Sequence, residues 1–285
     1  MVFAWRMRTK YCFAPALMAG LVGLAGVARV EAELPAMKER KWLGYFLGFE
    51  NKKVNFGVTP KGRASIKVIG KKGEPLGHML AVAVDFRVEE IMPDGTAKTH
   101  FIQPESLESD QEATDKPDNV VIRGTAAGGA KFEAVVHEER GAIELGGRLV
   151  DPGTLKNPRF SVQVVFQDVY SKSVPAGDEK KIEAFQEKIA DDRVLLVLKD
   201  GKRVKLSPAE AKDAAEINGP GIEVMEMEMA AYQDNEFEIT ATGESAMTVT
   251  TAGSAAPINK GFTLTWVADP AKDAGNKARL RIEVK

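Results

Sequence analysis

Leu80-Ala81-Val82-Ala83-Val84-Asp85-Phe86-Arg87-Val88-Glu89 alternates in side-chain character along its whole length. Leu80, Val82, Val84, Phe86 and Val88 fall on one face, with Asp85, Arg87 and Glu89 on the other. Successive side chains of a strand point to opposite faces, so this period of two predicts a strand with one face in a core and one in water. The pattern recurs at Phe160, Val162, Val164 and Phe166, set against Arg159, Ser161, Gln163 and Gln167. It returns at Ala278, Leu280, Ile282 and Val284, against Arg279, Arg281 and Glu283. Turn formers separate such runs at Pro93-Asp94-Gly95, Arg140-Gly141 and Asp200-Gly201.

One hairpin can be registered from sequence. With Arg140-Gly141 as a two-residue turn, Val136 opposes Leu145, Ala134 opposes Gly147 and Phe132 opposes Leu149. A slip of one residue would break every one of these apolar pairs. The same register sets His137 against Glu144 and Glu133 against Arg148 on the polar side. A second hairpin is expected around Gly243-Glu244-Ser245, opposing Ala241 to Met247 and Ile239 to Val249.

Helical signals are few. Asp178 caps a segment running to Ala190, with Ile182, Phe185 and Ile189 in one stripe. Ser207-Pro208-Ala209-Glu210 reads as a second capped start, ending before Asn218-Gly219. The expected fold is all-β, an antiparallel β-sandwich or extended sandwich with one or two short helices between strand blocks. The expected organisation is a larger block over residues 33–174, a helical connection over 175–190 and a smaller β-rich block over 191–285.

Residues 1–32 read as a secretory signal peptide. Arg6, Arg8 and Lys10 precede an apolar run from Phe13 to Ala28, and Val30-Glu31-Ala32 supplies a cleavage-like tripeptide. The run is short for a bilayer span and is interrupted by Pro15, Gly20, Gly23 and Gly26. An exported protein, periplasmic or extracellular, is therefore expected, with no membrane span left after cleavage. Cys12, the only cysteine, falls in this leader, so disulfides and thiolate chemistry are excluded from the remainder. The leader holds four of the 39 basic residues and one of the 41 acidic ones, leaving the rest at a net charge of −5. That balance lacks the basic footprint nucleic acid requires.

Glu133, His137, Glu144 and Arg148 form the one cluster whose residue types suit acid–base chemistry, for instance proton transfer on a sugar. Complementary charge pairing across a solvated face accounts for the same spacing. No two histidines among His78, His100 and His137 have local zinc spacing, so no metal site is expected from motif. Met225, Met227 and Met229 alternate with glutamates, a spacing that suits Cu⁺ as well as a core strand. The acidic loops at 104–118 and 268–277 offer oxygens to Ca²⁺ but match no calcium-loop pattern. Nucleophile-elbow and nucleotide-binding motifs are absent from the sequence.

Trp42 and Phe46 share a face opposite Tyr45 and Leu47, and are the expected aromatic platform for a sugar. The functional expectation is an exported, non-catalytic β-sandwich protein that binds or organises envelope or extracellular material, with a glycan as ligand. The alternative is a carbohydrate-active enzyme with Glu133, His137 and Glu144 on a concave sheet face.

Overall fold

The computed structural model describes residues 33–170, 178–208, 212–233, 235–251 and 258–285, so the expected leader lies outside the described residues. In chain order the first nine strands are β1 (Leu47–Glu50), β2 (Val54–Val58), β3 (Ala64–Val68), β4 (Val82–Ile91), β5 (Ala97–His100), β6 (Val120–Thr125), β7 (Lys131–Glu139), β8 (Ala142–Asp151) and β9 (Pro158–Phe166). Helix α1 (Glu179–Ile189) follows, then β10 (Arg193–Leu198), β11 (Arg203–Leu206) and helix α2 (Ala214–Asn218). The last five strands are β12 (Ile222–Glu228), β13 (Glu236–Thr242), β14 (Ser245–Thr251), β15 (Phe262–Ala268) and β16 (Arg279–Val284).

These strands form one curled antiparallel sheet, in the order β1-β2-β3-β4-β9-β15-β14-β12-β13-β16-β8-β7-β6. β10 adds to β12, β11 to β10 and β5 to β4. Two ladders join the sequence blocks. Leu264 of β15 opposes Val164 of β9, and Ile282 of β16 opposes Ile143 of β8. The curl brings the ends near each other, and the chain between β5 and β6 links them. Glu108 pairs with Arg123 of β6, while Thr114 exchanges backbone hydrogen bonds with Phe46 and Gly48 beside β1. Such bridging satisfies edge groups that would otherwise recruit other chains.

Curling folds the apolar faces onto each other, giving the all-β sandwich core. Val82, Val84, Phe86 and Val88 of β4 are buried, as are Phe160, Val162, Val164 and Phe166 of β9. Across the core, Phe132 of β7 stacks on Phe160 at 5.8 Å between ring centres, and Phe166 meets Phe237 of β13 edge-on at 5.4 Å. Burying each such side chain contributes about 1.5–3 kcal/mol before ordering costs. Asp192 ties the start of β10 to the turn after β12 by accepting the Ala230 N–H at 2.8 Å and the buried Tyr170 hydroxyl. Burial pushes the Asp192 carboxyl above its ordinary range.

The β7–β8 hairpin has the register expected from its sequence, including Val136 with Leu145 and His137 with Glu144. Arg140 and Gly141 both take positive φ, 54° and 84°, as a two-residue turn between right-twisting strands requires. Asp178 caps α1 by accepting the Lys181 N–H. α2 departs from expectation: its cap is Asp213, and residues 209–211 of the expected start lie outside the described residues. The second expected hairpin does not form a ladder. Both edges of β13 are taken, by β12 and β16, so Ala241 opposes Leu280 and Met247 opposes Trp266 instead.

Candidate functional site

Glu133 and His137 alternate outward on β7, and β8 sets Arg148 and Glu144 beside them. Glu133 sits between two guanidiniums. Arg148 Nε donates to Oε2 at 3.0 Å, and Arg123 Nε, from β6, donates to Oε1 at 3.2 Å. Burial works to raise the Glu133 pKa, but the bonds from Arg148 and Arg123 overcome it and hold the carboxyl below its ordinary range. A carboxylate clamped as an anion does not serve as a general acid near neutral pH. His137 is turned aside from that clamp: its Nδ1 accepts the Asn119 N–H at 3.3 Å and lies 3.4 Å from Asp118 Oδ1.

His137, Glu139 and Glu144 each offer a ligand atom within 4.8 Å of the others. This is the one arrangement among the described residues that could gather around a metal ion. The Asn119 hydrogen bond works against it. That bond occupies the Nδ1 lone pair, which a metal ion at this nitrogen would have to displace.

The expected aromatic platform is corrected by burial. Trp42 lies in a short 3-10 turn (Arg40–Trp42) before β1, not in a strand, and is only 8% exposed. Its ring covers Gly48, where a Cβ would lie 2.3 Å away, and it meets Tyr45 edge-on at 5.8 Å. Phe46 is wholly buried and offers no face to a ligand. Met225, Met227 and Met229 are buried in the core. The acidic loops use carboxylates internally: Asp110 pairs with Arg123 at 2.6 Å, and Asp273 accepts the N–H groups of Lys277 and Ala278.

A different place has the shape of a binding site. β3 pairs with β4 only as far as Val84, opposite Ala64, and β5 takes over at Val88, opposite His100. Asp85, Phe86 and Arg87 have no strand neighbour on that side, though β9 runs unbroken along the other. A cleft of about 510 Å³ opens at this gap. Its floor is apolar, built from the buried side chains Phe86, Leu107, Ile122 and Phe132. Phe101 stands at its lip, 81% exposed, the one phenyl ring left largely in water among the described residues.

The polar lining includes Lys61, Arg63, Asp85 and Arg87. The turn between β2 and β3 carries Lys61 and Arg63 into place. Gly62 there has φ +73°, and a Cβ would lie 2.8 Å from Leu107 Cδ1, so glycine lets this turn lie down against the floor. Arg87 Nη2 bonds Asp85 Oδ2 at 3.0 Å on the same strand. His100, largely buried, is occupied by Glu90 at 3.1 Å. The Lys156 N–H, ahead of His100, holds the Glu90 carboxyl below its ordinary range.

Sequence reasoning missed this cleft. The gap arises from where β3 stops and β5 begins, which no local pattern of residues reports. Glu89 was also expected in water, yet it is 3% exposed, with Arg159 Nη2 at 2.9 Å and Gln163 Nε2 at 3.1 Å. The cross-strand pairing of Glu89 with Arg159 was the available signal, visible only once β4 and β9 are known to be neighbours.

No family model matches the sequence, and no curated protein matches it. Among solved structures the chain is similar in fold to the α-N-acetylgalactosaminidase NagBb from Bifidobacterium bifidum. The likeness to its quadruple mutant has a TM-score of 0.50 at 9% identity, and that to its GalNAc complex 0.48 at 10% identity. Each match covers 84% of this chain and 36% of the other, so the chain spans about a third of that enzyme's length.

Proposed function

We propose that this protein is an exported, non-catalytic β-sandwich that binds glycans in the cleft at the β3–β4–β5 gap. One observation carries the reading: a 510 Å³ recess with an apolar floor and a fully presented phenyl ring at its lip. Sugars dock their C–H faces on aromatic rings and spend their hydroxyls on nearby polar groups, and this cleft supplies both. Its size lies in the range of small-ligand sites. Export is supported by the leader-like residues 1–32. The fold shared with NagBb is one that a carbohydrate-active enzyme uses, which supports the ligand class by analogy alone. The enzymatic alternative loses support because Glu133 is clamped between Arg123 and Arg148.

The test is a glycan array of the wild-type protein, followed by calorimetric titration of the best hit against Phe101→Ala. Loss of one stacking ring from an exposed position is expected to weaken binding about tenfold while leaving the melting temperature unchanged. Undiminished affinity in the variant, or an array without hits, overturns the reading.

A further inference from the structure

We propose that the glycan taken by this cleft is acidic, with a uronic-acid carboxylate seated against Arg63 and Arg87. The inference rests on the glycan-binding reading above and specifies its ligand. Three cations line the recess, Lys61, Arg63 and Arg87, against the single carboxylate of Asp85. That excess is local, since the whole chain carries a formal net charge of −2. Its unspent part is Arg63, since Arg87 is paired with Asp85 at 3.0 Å and Lys61 with Glu33. Arg63 has no ion-pair partner among the described residues, and Lys61 reaches only Glu33, at 3.6 Å, with both groups exposed. Asp85 neutralises Arg87 alone, and Glu90 is turned to His100 and the Lys156 N–H.

The apolar floor strengthens this field. Phe86, Leu107, Ile122 and Phe132 form a low-dielectric wall beneath the cations, so charge on a ligand is screened less than on an open surface. A guanidinium matches a planar carboxylate with two parallel N–H···O bonds, which a neutral hydroxymethyl group cannot reproduce. The uncovered edge of β4 is three residues long, about 10 Å, and β3 and β5 close it at both ends. An added peptide strand has no room to run there, whereas one or two sugar rings fit.

A matched ligand pair decides the matter: oligogalacturonate and its fully methyl-esterified form, which share a backbone and differ in charge. The acid form is expected to bind about tenfold more tightly, with affinity falling as salt rises. Arg63→Gln, at an exposed turn position, is expected to erase that preference without lowering the melting temperature. Equal binding of both forms, or an Arg63→Gln variant that keeps the preference, overturns the acidic assignment and leaves glycan binding intact. So does an array that gives only neutral hits, and one that gives only sulfated hits overturns the uronic-acid carboxylate. An array with no hits removes the glycan reading itself.

Discussion

The β7–β8 hairpin and the β3–β4–β5 cleft carry the same kinds of side chain in opposite states. On the hairpin, charge is consumed: Glu133 holds two guanidiniums, and His137 leans on Asn119 and Asp118. In the cleft, Arg63 is unpaired among the described residues, and Phe101 lies in water at 81% exposure. Paired charges on an open sheet face stabilise a register, while Arg63, lining a recess over an apolar floor, keeps its charge for a ligand even though Arg87 and Lys61 beside it are paired. Residue chemistry alone does not separate the two. The strand geometry beneath them does, because β7 has neighbours along both edges and β4 has a stretch with only one.

The largest effect should come where core and cleft share a residue. Phe132 is part of the cleft floor and also stacks on Phe160 inside the sandwich. Phe132→Ala is expected to cost about 3–5 kcal/mol in chemical denaturation and to abolish binding with it. A loss below about 1 kcal/mol would mean that the floor is not part of the core, and the contrast drawn here would fail.

Glu133→Ala should come next, at about 1–2 kcal/mol, leaving Arg123 and Arg148 to face each other. The lower end is favoured because Arg148 is half in water. Glycan affinity should not change, and a loss of affinity would move the binding site to the hairpin. The same clamp sets a pH dependence. The Glu133 carboxyl titrates below its ordinary value of 4.5 in the folded protein. Its contribution is therefore fully present above pH 4.5 and is lost as pH falls through the folded value. Wild type and Glu133→Gln should differ in denaturant midpoint at neutral pH and converge in acid. A gap that widens on acidification would contradict the clamp.

How far these two regions were legible follows from what fixes each. The hairpin could be registered residue by residue because its turn, Arg140-Gly141, is local and its apolar pairs allow one alignment only. The alternation at Val82–Val88 likewise gave β4 its buried face. The cleft depends on which strands meet β4 and how far each extends, and these are pairings between residues distant in sequence. Ala64 and His100 bound the gap at its two ends along one edge of β4, and nothing in the local pattern around either announces where pairing stops. Trp42 and Phe46 show the converse failure. Aromatic residues near an apolar stretch suggested a platform, but Gly48 leaves a space that the Trp42 ring fills.

The smallest effect belongs to His137, and it is the sharpest test of the hairpin's inertness. His137→Ala removes a half-buried imidazole whose Nδ1 bond to Asn119 is long, at 3.3 Å, so stability should move by no more than about 0.5 kcal/mol. Zn²⁺ supplies the discriminating measurement. A site at His137, Glu139 and Glu144 filled at a hundred times its dissociation constant would stabilise the folded protein by about 2.7 kcal/mol, a clear rise in melting temperature. Because the Asn119 N–H occupies the Nδ1 lone pair, no such rise is expected in wild type, and none in His137→Ala. A Zn²⁺-dependent shift in wild type that vanished in the variant would show that the imidazole can turn away from Asn119. The hairpin would then hold a second site, and the division between a paired face and an open cleft would no longer describe the molecule.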